Sequence, residues 1–264
     1  MVYLIISLII IIIYFFFQPQ YISIEPFESD DFQLVISRYN ENLEWLKNKP
    51  FSDCKNIIIY NKGNNENYYK PENSKTIKLN NVGKCDHTYI YHIVENYNNL
   101  PSIGCVFLPG SANMDVKYPK ALQTYKSFVK YKKSTMVCLK FNNIKEQLYN
   151  FEMKNYETAY PSNKTGTETK TTLAHIRPFG KWFENKFGNL QIKHVTFGGM
   201  FAVSRNHILN RPKDFYQKLL SELNYTNPEV GHFIERSWEA IFYPMKGARF
   251  LKSKYKLDEV GAFT

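Results

Sequence analysis

Four apolar runs, each closed by polar or turn-forming residues, restrict this 264-residue chain to an α/β fold. They are FQLVISR (32–38), KNIIIYNKG (55–63), IGCVFLPGS (103–111) and TMVCLKF (135–141). Short apolar runs bounded by turn signals read as buried strands. Segments with helical spacing lie between them. In 79–97 a turn at Gly83 opens a helix whose positions 89, 90, 93, 94 and 97 share one face. A helix is also predicted around 114–130, and another in NENLEWLK with Asn40 as its N-cap. Strands alternating with helices predict a mostly parallel sheet flanked by helices. Further on, HVTFGGMFAVSR (194–205) resumes strand character across a Gly-Gly break, and helices follow over 211–223 and 232–243. The polar stretches 64–75 and 155–172 read as loops, the second as a mobile surface insertion.

The N-terminus poses a separate question. Residues 2–17, VYLIISLIIIIIYFFF, are almost unbroken hydrocarbon and aromatic. Sixteen helical residues span roughly 24 Å, short of a bilayer core of about 30 Å, and Tyr21, Ile22 and Ile24 can extend the run. A secretory signal peptide would carry a basic n-region and a small-residue cleavage site, and neither is present. Residues 1–24 are therefore expected to be a signal anchor with its transmembrane helix at about 2–17, residues 25–31 a stem, and residues 32–264 one α/β domain. Glu25, Glu28, Asp30 and Asp31 follow the run, and no basic residue appears before Arg38. The expected topology is single-pass type II, with the body in the lumen of the ER or Golgi or on a viral membrane.

Composition excludes several classes. Aromatics at 16% argue against global disorder, and there is no collagen period, coiled-coil heptad or internal repeat. Lys and Arg outnumber Asp and Glu by 34 to 24, a net charge of +10. Arg occurs only six times against 28 Lys, and Asn 26 times, the bias of an AT-rich genome. The lysines are scattered and no nucleic-acid module is present, so no nucleic-acid partner is expected. Cys54, Cys85, Cys105 and Cys138 lack zinc spacing; one or two disulfides, or burial in the core, both suit them. Sequons stand at Asn163 and Asn224.

Ligands of open α/β sheets bind outside the carboxyl ends of the strands. Three such ends carry polar groups: Ser37-Arg38-Tyr39-Asn40, Tyr60-Asn61-Lys62-Gly63 and Pro109-Gly110-Ser111. Gly83 opens a helix with Lys84 and His87 in its first turn, where backbone N–H groups and the helix dipole favour an anion such as a diphosphate. The spacing is neither GxGxxG nor a Walker motif. The glycines of Phe197-Gly198-Gly199-Met200-Phe201 permit close approach of a ligand, or simply form a bulge. His232 and Glu235 share one helix face, with Glu229 just before them. A carboxylate beside a histidine at a helix start serves as a base or metal ligand, or merely stabilises the dipole.

The segments VISRYNENLEWL, IIIYNKG, NVGKCDHTYIYHIVENYNNLPSIGCVFLPGS, GGMFAVSRNHILNRPKDFYQKLL and NPEVGHFIERSWEAIF run in order from Val35 to Phe242. Together they resemble a poorly characterised glycosyltransferase-like family of fungi, bacteria and large DNA viruses, grouped as a domain of unknown function. The resemblance implies a GT-A-like enzyme that moves a sugar from a nucleotide-sugar donor to a glycan or glycoprotein acceptor, with Mn or Mg. It implies donor binding at Ser37, Arg38, Asn40, Tyr60, Asn61, Lys62, Gly83, Lys84 and His87. The acceptor side would be Gly198, Gly199, Met200 and Arg205, the base Glu235 or Glu229, and the metal ligands Asp115 and His232. The chain departs from the GT-A pattern in having no D-x-D, and it carries Lys84-Cys85 where relatives often carry Arg-Glu. Without a metal, Lys62, Lys84, His87, Arg205 and the helix N-terminus would take the charge of the departing diphosphate. The missing D-x-D also motivates an alternative, a catalytically inactive, membrane-anchored glycan- or nucleotide-binding protein of the same fold.

Overall fold

The computed structural model describes residues 31–158, 160–164 and 170–252. Its centre is an eight-stranded sheet: β1 (Phe32–Arg38), β2 (Ile57–Asn61), β3 (Ser74–Lys78), β4 (Gly104–Pro109), β5 (Thr135–Lys140), β6 (His194–Val195), β7 (Phe201–Ser204) and β8 (Arg249–Lys252). One path through it reads β3-β2-β1-β4-β7-β5-β6, and β8 pairs with β5. The strands β3, β2, β1 and β4 are parallel, whereas β7 runs antiparallel to both β4 and β5. β8 pairs in parallel with β5, so six of the eight strands share one direction and the sheet is mostly parallel, as expected; β6 and β7 are reversed, and the contiguous β3-β2-β1-β4 forms a wholly parallel half.

Continuous apolar runs make sense because both sheet faces are covered. In β1, Leu34 and Ile36 join one core cluster and Val35 the other; in β4, Val106 and Leu108 oppose Cys105 and Phe107. The larger cluster receives α1 (Lys84–Asn96), α4 (Phe179–Phe187), α6 (Lys213–Glu222), α7 (Glu229–Glu235) and α8 (Trp238–Ile241). The smaller receives α2 (Tyr118–Tyr131) and the 3-10 turn Glu44–Lys47. Two short helices complete the set, α3 (Ile144–Gln147) and α5 (Arg205–Leu209). On α1, Tyr89, Ile90, Ile93 and Val94 are buried, as the spacing requires.

Several expectations are corrected. Asn40 caps no helix: Leu43, left-handed at φ 59°, precedes a single 3-10 turn. The stretch 64–75 runs into β3, an exposed edge strand whose SKTIK carries no apolar period. The single helix over 232–243 is two, broken where the Ser237 hydroxyl donates to the Phe233 carbonyl, and Glu229 lies inside α7 rather than before it. All four cysteines are free thiols; only Cys85 is not fully buried. Among the described residues no helix is long and apolar enough to cross a membrane, so nothing in the described structure carries the expected transmembrane helix. The run 2–17 and the rest of 1–30 lie outside the described residues.

Candidate functional site

A cavity of about 240 Å³ opens where the carboxyl ends of β1, β2 and β4 meet the N-terminus of α1. Gly198, just ahead of β7, and residues of α7 close another side. The remainder is lined by Tyr156, Glu157, Thr158 and Asn163. The stretch expected to be a mobile surface insertion is thus partly a wall of the cavity.

The α1 end is built around Lys62. Gly83 and Lys84 are both left-handed, at φ 58° and 50°. Only glycine fits at 83: a Cβ there would lie 2.5 Å from both the His87 Cβ and the Leu223 carbonyl oxygen. This turn aims the Val82 and Lys84 carbonyls at the buried Lys62 ammonium, which donates to both. Burial pushes Lys62 down to about 7, offset in part by Cys85 and Asp86. Burial also lowers Lys84, whose ammonium sits 4.3 Å from the centre of the Tyr156 ring, and Lys117, which donates to the Ser111 hydroxyl at 2.8 Å. Three ammonium groups therefore border one cavity. Behind them Lys120 donates to the Phe197 carbonyl, and burial pushes it down to about 8.

Arg38 joins the strand ends. Its Nε donates to the Glu41 carbonyl, and its Nη1 to Asn61 Oδ1 and to the Tyr39 and Asn65 carbonyls, while the guanidinium stacks 3.7 Å over Tyr68. Glu41 accepts from the Tyr39 N–H and from Asn163 Nδ2, both at 2.7 Å, which ties the 163 segment to the β1 end.

Across the α1–α7 contact stand Asp86, His232 and Glu235. Glu235 Oε1 accepts the Gly198 N–H at 2.7 Å, and its Oε2 lies 3.6 Å from Arg236 Nη1. Gly199, at φ 63°, leaves room for Cys85: a Cβ there would be 2.7 Å from its Sγ. Asp86 is only 5% exposed and His232 7%. Burial, then the neighbouring Glu235, holds the Asp86 carboxyl well above the ordinary carboxylate range. Burial, then Arg236 and Lys84, pushes His232 down to about 3. His232 is therefore neutral at pH 7, and Asp86 is shifted toward its protonated form. The His232 ring packs edge-on to Tyr156 at 4.5 Å. Buried polar atoms without a protein partner collect here: Arg38 Nη2, Asp86 Oδ1, Asn163 Oδ1 and His232 Nε2 all belong to cavity-lining residues. Buried polar groups are normally satisfied, so such a cluster asks for a partner.

Of the sequence-predicted residues, Ser37, Arg38, Lys62, Gly83 and Lys84 line the cavity from the strand and α1 side. Gly198, His232 and Glu235 line it from the other. The rest do not. Tyr60 is a core residue bonded to His92 Nδ1. Asn61 is fully buried and supports Arg38 and Glu66. Asn40 packs beside Gly63. His87 stacks on Tyr91. Gly199 and Met200 lie behind the lining, Met200 in the smaller core. Arg205 donates to the Leu100 carbonyl at the opposite end of the sheet, because antiparallel β7 carries it there. Glu229 is fully buried and bonded to Met153, Ala174 and Arg177. Asp115 is exposed and outside the lining. Among the described residues no three His, Cys, Asp or Glu side chains gather as metal ligands. Asp115 and His232 therefore do not fit a Mn or Mg site.

Sequence reasoning missed Asp86, Lys117, Tyr156 and Asn163. Asp86 stands inside the NVGKCDH motif, Asn163 carries only a sequon, and Lys117 and Tyr156 carry no local signal.

Residues 34–254 match the family described as "Protein of unknown function (DUF3431)". No curated protein matches the chain. The coarser half of the resemblance, a family of unknown function, therefore holds. Neither the family description nor the described helices support labelling the chain a glycosyltransferase or a transmembrane protein.

Proposed function

The chain belongs to the DUF3431 family, and from that premise we propose that its cavity binds a nucleoside-diphosphate donor and transfers the carried group, a sugar, to an acceptor hydroxyl. The observation that carries this reading is the convergence of Lys62, Lys84 and Lys117 with the N-terminus of α1 on a cavity that also holds Glu235. Burial disfavours the charge on all three lysines, and a diphosphate restores it by supplying the opposite charge. The parallel half of the sheet adds support, since its carboxyl ends form the cavity floor, the usual place for a ligand in an open α/β sheet. The strand order, with antiparallel β7 beside β4, suits the GT-A-like arrangement that the sequence resemblance implies.

In an inverting transfer Glu235 takes the proton of the acceptor hydroxyl as that oxygen bonds to the anomeric carbon. The bond from this carbon to the diphosphate oxygen breaks, and the electron pair leaves with the diphosphate. The charge that develops there lies beside Lys62, Lys84 and Lys117. The Gly198 N–H orients the Glu235 carboxylate and leaves its other oxygen room to accept the proton.

The test is release of free nucleotide by the full-length chain from UDP-, GDP- and TDP-sugars. Glu235→Gln should lower release by roughly 10²-fold with nucleotide binding preserved. Nucleotide binding without release from any donor would shift the reading to the inactive binding protein. Neither release nor a thermal shift with any nucleotide would remove the proposal.

A further inference from the structure

Resting on that reading, we propose that Asp86 and His232 form a hydroxyl-binding wall that holds the sugar of the donor, separate from the lysines that hold its diphosphate. The two residues come from different elements, the first turn of α1 and the middle of α7. A Cβ built on Gly231 would stand in ordinary contact with Asp86 Oδ2, at 3.8 Å, so the Asp86 carboxyl packs against α7 at the residue next to His232. Asp86 Oδ1 and His232 Nε2 are buried, have no protein hydrogen-bond partner, and belong to residues that line the cavity. Both are more than nine-tenths buried, so leaving them unsatisfied costs free energy that a ligand can recover.

The chemistry of this wall differs from that of the lysines. A protonated carboxyl donates one hydrogen bond and accepts others; a neutral imidazole offers one donor and one acceptor. Such a pair suits neighbouring hydroxyl groups, each of which donates and accepts. It does not suit phosphate, which offers only acceptors beside a pair with limited donors. The charged and titratable groups packed around Asp86 and His232 are Lys62 and Lys84 from the β2–α1 side, Cys85 on α1, Tyr156 from the 152–163 segment, and Glu235 and Arg236 at the end of α7. Glu235 disfavours ionisation of Asp86, and Arg236 and Lys84 disfavour protonation of His232. Both shifts favour the neutral forms, which exchange hydrogen bonds with hydroxyls.

Calorimetric titration of the full-length chain with UDP, GDP and TDP, and with sugars linked to each, tests the wall. At least one nucleotide-sugar should bind about tenfold tighter than its own nucleoside diphosphate, the worth of one to two net hydrogen bonds. Asp86→Ala and His232→Ala should each remove most of that increment and leave the nucleoside diphosphate within about threefold of the unsubstituted chain. Asp86→Asn, neutral and still a donor, should keep most of it. Thermal melts of each variant establish that it is folded, and the conservative Asp86→Asn and His232→Asn stand in where an alanine variant is not. Equal affinity for nucleotides and all their sugars, or equal loss of both in the variants, overturns the wall and leaves the diphosphate reading standing. Equal loss in Asp86→Asn and Asp86→Ala overturns Asp86 as a neutral donor. Binding of neither class by the unsubstituted chain overturns the reading and the wall together.

Discussion

Helix α7 begins and ends with a glutamate, and the two could hardly be used more differently. Glu229 is fully buried, and its carboxylate accepts three hydrogen bonds, from the Met153 and Ala174 N–H groups and from Arg177 Nη2, with Arg177 Nε in ion-pair contact at 2.7 Å. Glu235 has a side chain 20% exposed, one hydrogen bond from Gly198 and a longer contact to Arg236. An ionised carboxylate has about four lone-pair sites. At Glu229 three are filled and Arg177 Nε stands against the carboxylate, which holds Met153, Ala174 and Arg177 to α7; at Glu235 most are free for a ligand. Spare accepting capacity, rather than residue type or helix position, separates a structural carboxylate from a candidate base.

The comparison can be broken first at its structural end. Glu229→Ala strands Arg177 and two backbone donors, and should destabilise the fold by about 3–5 kcal/mol in denaturant melts. A loss below about 1 kcal/mol would mean that the anchor is not structural. At the other end, Glu235→Gln should cut turnover by roughly 10²-fold while the melting temperature moves little. A large loss of stability there would erase the contrast. A smaller effect sharpens it. Arg177→Met should cost about 1–3 kcal/mol, and in a cycle with Glu229→Ala the two losses should be far from additive, because both remove the same ion pair. The smallest effect concerns the lysines. Lys62 loses its proton near pH 7, so raising pH from 7 to 9 removes a cation from the cavity. UDP affinity, read by titration, should fall by about tenfold over that range, and Lys62→Met should flatten the profile. A pH-independent affinity in the unsubstituted chain would remove Lys62 from the diphosphate site.

Much of the fold was legible because burial on both faces writes itself as continuous apolar runs. β1, β2, β4 and β5, and the buried face of α1, follow from that signal alone. β3 did not, since it is an exposed edge held by backbone pairing to β2. Nor did the reversal of β7, which is set by its neighbours and which moves Arg205 to the wrong end of the sheet. In the site, polar residues at strand ends were a sound guide for Ser37, Arg38 and Lys62, but Tyr60 and Asn61 show its limit. Position 60 belongs to the core and position 61 to a network beneath it. The two glutamates of α7 were indistinguishable in sequence because the donors that bond to Glu229 come from residues 52 to 76 positions away. Tyr156 and Asn163 belong to a polar stretch whose local signatures are those of a loop and, at Asn163, a sequon, neither of which points to a cavity wall.

Cys85 gives the cavity a built-in chemical reporter. Its three fellow thiols are buried in the core, while it alone is half-buried on the cavity, against Gly199. Burial, then Asp86 and Glu235, holds the Cys85 thiol well above its ordinary range, so a small thiol reagent should modify it slowly, yet before the three more buried thiols, and whatever fills the cavity should slow it further. The rate of that single alkylation then measures occupancy directly, without knowledge of the acceptor, the sugar or even whether turnover occurs.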